Sequence, residues 1–296
     1  MTEMENRDPV NEIVEKFDKL GYIADQSIGT AIHLAQVLQR PLLIEGRAGV
    51  GKTDIALTMS RVLETTFMRL QCYEGLDVAS SIYEWNYSKQ LLWIRINENS
   101  GISTEEMERS IYSREFLFER PLLSAINKEK SPVLLLDEVD RADQEFEAFL
   151  LEMLAEFQVT IPEIGTIKAI NKPFVVLTSN RTRELSDALR RRCIYLWIDY
   201  PDVEKELQIV RRKVDEISNG LARQICQFVS VLRDEGFEKV PGISETLDWA
   251  VAMIALNVDS LEPEIVERTM GVLIKDVDDL KSFQADTIER IIKSIA

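Results

Sequence analysis

Apolar positions along the first 200 residues switch period again and again. Over 11–20 and 26–38 they recur at helical spacing, and in the second stretch Ile28, Ile32, Ala35 and Leu38 fall on one face. That spacing predicts two amphipathic helices. The pattern then changes to a short continuous apolar run at 41–44, which ends in a glycine-rich loop. Runs of the same kind stand at 133–136, 174–177 and 194–198, with a weaker one at 67–72. Short apolar runs bounded by turn residues predict strands buried on both faces. Helical stretches between them predict a parallel sheet with crossover helices, an α/β architecture.

Two stretches interrupt this alternation. Residues 82–96 (IYEWNYSKQLLWIRI) are rich in aromatic and β-branched side chains where a crossover helix is expected, and they read as an inserted hairpin or a bent helix. Residues 159–170 (VTIPEIGTIKAI) alternate apolar and polar around Pro162 and Gly165, which predicts a hairpin. After Tyr200-Pro201 the strand signal ends. Helices are predicted over 203–218, 221–235, 244–256 and 288–295, punctuated by Pro241-Gly242 and Pro263. A boundary near Pro201 therefore separates an α/β core, 1–200, from an all-helical domain, 201–296.

Composition narrows the function classes. The 296 residues are 45% hydrophobic and 29% charged, enough apolar material for a sizeable core. Acidic residues outnumber basic ones, 51 to 35, for a formal charge of -16. That excludes a strongly basic nucleic-acid binder and weakens any case for anionic membranes. A single histidine, His33, excludes His-based acid–base pairs and multi-His metal centres. The three cysteines, Cys72, Cys193 and Cys226, lie far apart with no metal-type spacing, which suits a reducing compartment. The opening MTEMENRDPV has no apolar core, and no run approaches the roughly 20 apolar residues that cross a bilayer. A cytoplasmic protein without an integral membrane segment is expected.

Four motifs carry candidate chemistry. The first is Gly46-Arg47-Ala48-Gly49-Val50-Gly51-Lys52-Thr53, which matches G-x-x-x-x-G-K-[ST]. Its glycines let the backbone wrap an anion, Lys52 supplies charge to phosphate, and the Thr53 hydroxyl can ligate Mg²⁺. The helix that follows turns its positive dipole end to the same place. The second is Asp137-Glu138 at the end of an apolar strand, where Asp137 would hold Mg²⁺ and Glu138 would act as general base. The third is Thr178-Ser179-Asn180 at another strand end, where Asn180 can position water or simply cap a turn. The fourth is Arg190-Arg191-Arg192, either a solvated face or an arginine finger for a neighbouring subunit's nucleotide.

With these motifs in this order, the chain resembles AAA+ ATPases, and more narrowly their MoxR branch. The branch-like segments are DEVDRAD at 137–143, FLLEMLAE at 149–156, the hairpin at 159–170 and an insert at 76–96. Within the branch it is similar to the accessory ATPases of carbon monoxide dehydrogenase maturation, over 69–92, 134–167 and 175–201. The resemblance spans roughly residues 20–250. It implies a P-loop core with a five-stranded parallel sheet ordered 5-1-4-3-2, a small helical lid, and ATP with Mg²⁺ as substrate and metal. It implies a hexameric ring, a metalloenzyme client and a partner with a von Willebrand factor A domain. Carried over by position, Gly46 to Thr53 form Walker A and Asp137 and Glu138 form Walker B. Asn180 is then sensor 1, and Arg192, with Arg191 beside it, is the finger. One departure stands out. The lid stretch Gly242-Ile-Ser-Glu-Thr246 carries threonine where the branch has its sensor 2 arginine.

The resemblance implies a chaperone that hydrolyses ATP and remodels or matures a metalloenzyme, and it points to a molybdenum hydroxylase of the carbon monoxide dehydrogenase type as the client. A nucleic-acid motor or loader is the first rival, disfavoured by the acidic charge, and no nucleic acid is expected as partner. A protease-coupled unfoldase is the second, kept open by Tyr83, Trp85 and Tyr87. A nucleotide-dependent scaffold without hydrolysis is the third, disfavoured by the intact Asp137 and Glu138.

Overall fold

The computed structural model describes residues 8–237, 239–283 and 285–295. In chain order the first half comprises α1 (Pro9–Lys19), α2 (Gln26–Leu38), β1 (Leu42–Gly46), α3 (Lys52–Val62), β2 (Phe67–Gln71), α4 (Val78–Ile82), β3 (Tyr83–Trp85), α5 (Tyr87–Asn97), α6 (Thr104–Ile111), β4 (Leu117–Glu119), α7 (Pro121–Asn127) and β5 (Val133–Asp137). It continues with α8 (Gln144–Glu156), β6 (Gln158–Ile161), β7 (Gly165–Lys168), β8 (Phe174–Ser179), α9 (Asp187–Arg192) and β9 (Ile194–Ile198). Helices α10 (Val203–Lys213), α11 (Asn219–Arg233), α12 (Ile243–Ala255), α13 (Pro263–Thr269), α14 (Val277–Ser282) and α15 (Ala285–Ile295) complete it. Contacts divide the chain into two compact units, one of residues 30–45 and 56–196, the other of the segment ending at Gly29, residues 46–55 and the segment from Trp197 on.

The first of these units holds the five-stranded sheet, ordered β2-β5-β8-β1-β9. Counted along the chain as five core strands, that is the expected 5-1-4-3-2. β2 runs parallel to β5, β5 to β8, and β8 to β1. The apolar run explains the central position of β5: Val133, Leu134, Leu135 and Leu136 have no exposed surface, as a strand covered on both faces requires. Phe146, Leu150 and Met153 of α8 belong to the same core. The hairpin predicted at 159–170 is β6 paired with β7, with Val159 opposite Ile167.

The stretch at 82–96 is neither of the expected alternatives. A short helix, α4, leads into three strand residues, β3, which pair antiparallel with β4 some 30 residues later. Helix α5 then begins behind an Asn86 cap, whose side chain accepts from the Lys89 N–H at 2.9 Å. Buried Trp85 packs edge-on against Tyr112, and Trp93 against Phe116. The aromatic residues thus serve a non-local miniature core, a pairing that local periodicity cannot reveal.

The other unit contains the C-terminal helices around fully buried Phe228, Val229, Trp249 and Ile225. The indole of Trp249 donates to the Thr269 hydroxyl at 2.9 Å. The single helix expected over 203–218 ends at Lys213 instead. Val214 turns extended, Glu216 is left-handed at φ 66°, and Ser218 caps α11 by accepting from the Leu221 N–H at 3.2 Å.

Candidate active site

Strand β1 delivers Gly46 and α3 starts at Lys52, so the glycine loop joins a strand to a helix N-terminus. Gly46 admits no side chain, because a Cβ there would stand 2.1 Å from the Ile198 carbonyl oxygen. Gly49 and Gly51 are left-handed, at φ 75° and 87°, where side-chain-bearing residues are strained. Lys52 is buried, and its ammonium donates to the carbonyls of Gly46 at 2.8 Å and Arg47 at 2.6 Å. The loop is curled around its own lysine.

Helix α12 starts against this loop. The Ile243 N–H donates to the Gly49 carbonyl at 2.9 Å, and the Gly242 and Gly49 backbones touch so closely that a Cβ on Gly242 would meet Gly49 Cα at 2.7 Å. Arg47 and Arg233 both lie against the Tyr200 ring, at 6.0 and 4.5 Å from its centroid. Beside the loop a mainly apolar cavity is lined by Tyr22, Ile23, Val50 and Ile243, with Asp54 and Lys205 among its charged lining residues. Burial, with Asp54 and Asp25 adding, pushes the Tyr22 hydroxyl well above the ordinary phenol range, so it stays neutral.

Thr246, in the place of the absent arginine, is fully buried and donates to Glu206 at 2.7 Å. Arg233 grips the same carboxylate with two bonds of 2.7 Å and donates from Nε to the Pro241 carbonyl at 2.8 Å. A guanidinium thus stands next to Thr246, carried by α11 rather than α12.

In the other unit, β5 ends on Asp137, which is 4% exposed. Asp137 accepts from the Thr178 hydroxyl at 2.5 Å and pairs with Arg69 at 2.5 Å. Glu138 follows in the left-handed region at φ 54°, which turns its carboxylate out of the strand. It accepts from the Asn180 amide at 3.1 Å, the Gln71 amide at 3.0 Å and Arg141 at 3.0 Å. Asn180 is held by its backbone, whose N–H donates to Asp140 at 3.2 Å, while Asp140 also accepts from the Thr182 N–H at 2.8 Å. Asp137 and Glu138, consecutive at the end of β5, thus meet Asn180, 42 residues away in sequence, at the end of the neighbouring strand β8.

Arg190, Arg191 and Arg192 form the last turn of α9, behind a Ser186 cap. Their contacts run elsewhere than to the carboxylates. Arg190 lies 5.9 Å from the Tyr195 ring centroid, Arg191 pairs with Asp187 at 3.6 Å, and Arg192 donates to the Leu151 carbonyl. Arg191 and Asp187 are each 82% exposed.

Sequence reasoning missed Arg69 and Gln71. Both sit on β2, and the register puts Gln71 directly opposite Asp137. The available signal was two polar residues at alternate positions of an otherwise apolar strand, on the sheet neighbour of β5. Among the described residues, no group of three His, Cys, Asp or Glu could hold a metal by itself. A Mg²⁺ ion takes one or two protein oxygens and completes its shell with phosphate and water. The buried Asp137 carboxylate can offer one such oxygen.

An uncharacterized protein of Staphylococcus haemolyticus is 23% identical over 274 residues, covering 88% of this chain and 94% of its own length. The Holliday junction branch migration complex subunit RuvB of Thermotoga petrophila is 27% identical over 176 residues, 56% of this chain. The chain spans about half of that relative, 51%. The solved Thermotoga maritima RuvB motor aligns with 91% of this chain and 72% of its own at 21% identity, with a TM-score of 0.47. The model of the AAA domain (dynein-related subfamily) matches residues 41–193, more than half of the 296, and the chain belongs to that family.

Proposed function

We propose that the protein hydrolyses ATP with Mg²⁺ and uses the cycle to remodel a metalloenzyme client, as a member of the MoxR branch. The observation that supports hydrolysis is the pairing of Glu138 with Asn180 at 3.1 Å, beside Asp137 at the end of β5. A carboxylate so oriented can accept a proton from attacking water. The phosphate loop binds the triphosphate through Lys52 and its glycine backbone, and the mainly apolar cavity at Tyr22, Ile23 and Ile243 receives the base. Mg²⁺, held through Thr53 and Asp137, supplies charge neutralisation at the phosphates. Residues 1–200 act as the ATPase core and 201–296 as the lid. In a hexameric ring, Arg191 and Arg192 reach the next subunit's nucleotide.

The client reading rests on the branch-like segments at 137–143, 149–156 and 159–170. It brings a von Willebrand factor A domain protein as partner, a metalloenzyme of the carbon monoxide dehydrogenase type as client and the cytoplasm as location. No helix among the described residues is long and apolar enough to cross a membrane. A nucleic-acid motor is the second reading, favoured by the similarity to RuvB and opposed by the formal charge of -16. Phosphate release with wild type, Lys52→Ala and Glu138→Gln tests the ATPase. Its stimulation by duplex DNA across a salt series separates motor from chaperone. Strong stimulation by DNA would replace the chaperone reading.

A further inference from the structure

We infer that Arg69 competes with a divalent cation for Asp137, so that this chain carries its own occupant for the metal carboxylate. The inference rests on the Mg²⁺–nucleotide reading above and goes beyond it by giving a role to a residue that neither motif includes. Asp137 is almost fully buried, and both of its oxygens are engaged. Oδ1 accepts from Thr178 at 2.5 Å and Oδ2 meets the Arg69 guanidinium at 2.5 Å. A metal approaching Oδ2 and the Arg69 guanidinium would occupy the same side of one carboxylate. Both are cations, and they exclude each other by charge as well as by volume.

Stabilisation alone explains Arg69 poorly. Its side chain is 48% exposed while that of Asp137 is 5% exposed, so water screens the guanidinium end of the pair. Its neighbours on β2, Phe67, Met68 and Leu70, are apolar. The same guanidinium nitrogen also donates to the Gln71 carbonyl oxygen at 2.5 Å. That bond fixes which end of the Gln71 amide faces Glu138, so the NH2 group is the end that donates to the carboxylate at 3.0 Å. Arg69 thereby touches the metal carboxylate directly and the base through one intermediary. If Arg69 leaves Asp137, the Gln71 amide loses the bond that orients it. Metal loading and release of Glu138 are coupled through this one side chain.

Calorimetric titration with ADP over a series of free Mg²⁺ concentrations, with an EDTA reference, tests this without turnover. Mn²⁺ binding by electron paramagnetic resonance gives a second readout. Arg69→Gln should lower the half-saturating Mg²⁺ by roughly threefold to fivefold, the range open to one partly exposed pair. Its ADP affinity in EDTA should change by less than about twofold, since no divalent cation is then present for Arg69 to displace. Arg69→Lys, which keeps the charge, should stay close to wild type, and Arg69→Met serves if the Gln variant does not fold. Equal Mg²⁺ half-points in wild type and the neutral variants, or a higher one in the variants, would overturn the competition. Wild type that binds no ADP in either condition would instead overturn the nucleotide reading, and the competition with it.

Discussion

The Gln71 side-chain amide donates to the Glu138 carboxylate at 3.0 Å across the β2–β5 pair. The residue opposite Asp137 therefore holds Glu138, the general base we propose. Glu138 keeps two other donors, Asn180 and Arg141. Removing Gln71 should then free the carboxylate without misplacing it. Gln71→Ala is expected to raise kcat by up to about fivefold at unchanged KM, the scale of one modest hydrogen bond. Glu138→Gln should lower kcat by roughly a hundredfold or more and leave nucleotide affinity intact. Steady-state phosphate release with parallel binding titrations checks both. A Gln71→Ala enzyme slower than wild type would mean that the amide positions the base.

The contact of Gly242 with Gly49 predicts a sharp sensitivity to one methyl group. On Gly242 that group would meet Gly49 Cα at 2.7 Å, the Gly49 carbonyl oxygen at 3.0 Å and the Ala48 carbonyl oxygen at 3.1 Å. All three are backbone atoms, so no flexible side chain can yield. Gly242→Ala should push α12 off the phosphate loop and break the Ile243–Gly49 bond, at about 1–3 kcal/mol. Nucleotide affinity is expected to fall about tenfold, read by calorimetry. Gly271→Ala, where a Cβ meets nothing within 4 Å, is the control and should be silent.

Much of this fold was legible because the apolar runs are continuous and the glycine loop is chemically singular. β5 and β8 read clearly because a strand buried on both faces must be apolar throughout. The convergence of Glu138 with Asn180 was also readable, since each stands at the end of such a run. The partnership of β3 with β4 was not, because each has three residues and the pairing is non-local. Arg69 and Gln71 escaped for a related reason: their meaning lies in the register with β5, and register is a property of two strands. The Arg233–Glu206–Thr246 cluster joins three helices and leaves no periodic trace in any one of them.

That cluster predicts a structural rather than a catalytic loss. The Arg233 and Glu206 side chains are 8% and 0% exposed, and stranding a buried charge costs about 3–5 kcal/mol. Arg233→Ala should destabilise the lid by that amount. Adding Glu206→Gln should recover part of it, because the orphaned charge is gone. If Arg233→Ala instead melts normally and loses ATP turnover, Arg233 acts on nucleotide as a relocated lid arginine. Chemical denaturation and phosphate release distinguish the two.

The cysteines predict a base-labile, thiol-inert protein. Burial pushes the Cys72, Cys193 and Cys226 thiols from the ordinary thiol range near 9 up to about 12, with Asp137 adding at Cys72 and Glu206 at Cys226, and Arg40 opposing at Cys193. Above pH 9 the unfolded chain releases these protons while the folded one retains them. Stability should accordingly be intact below pH 9 and decline as pH rises from there toward about 12. Alkylation by iodoacetamide at pH 8 should be slow in the native protein and fast in urea. Rapid native modification of any of the three would contradict their burial.

The arginines of α9 carry the prediction about assembly. Arg191 is 82% exposed and paired only loosely with Asp187 at 3.6 Å, while Arg192 rests on the Leu151 carbonyl. As a solvated cluster they would contribute about 0–1 kcal/mol, and removing them would leave turnover unchanged. As fingers acting on a neighbouring subunit, their loss should reduce turnover roughly 10³-fold with little effect on melting. Mixing separates the two further. An Arg192→Ala subunit keeps its own Lys52 and Glu138, and a Glu138→Gln subunit keeps its own arginines. Where the two meet in a ring, an intact finger faces an intact carboxylate site, and activity should return above that of either variant alone. Turnover per subunit should also fall on dilution as rings dissociate. Full activity in a monomer at high dilution, with no gain on mixing, would leave Arg191 and Arg192 as surface charges.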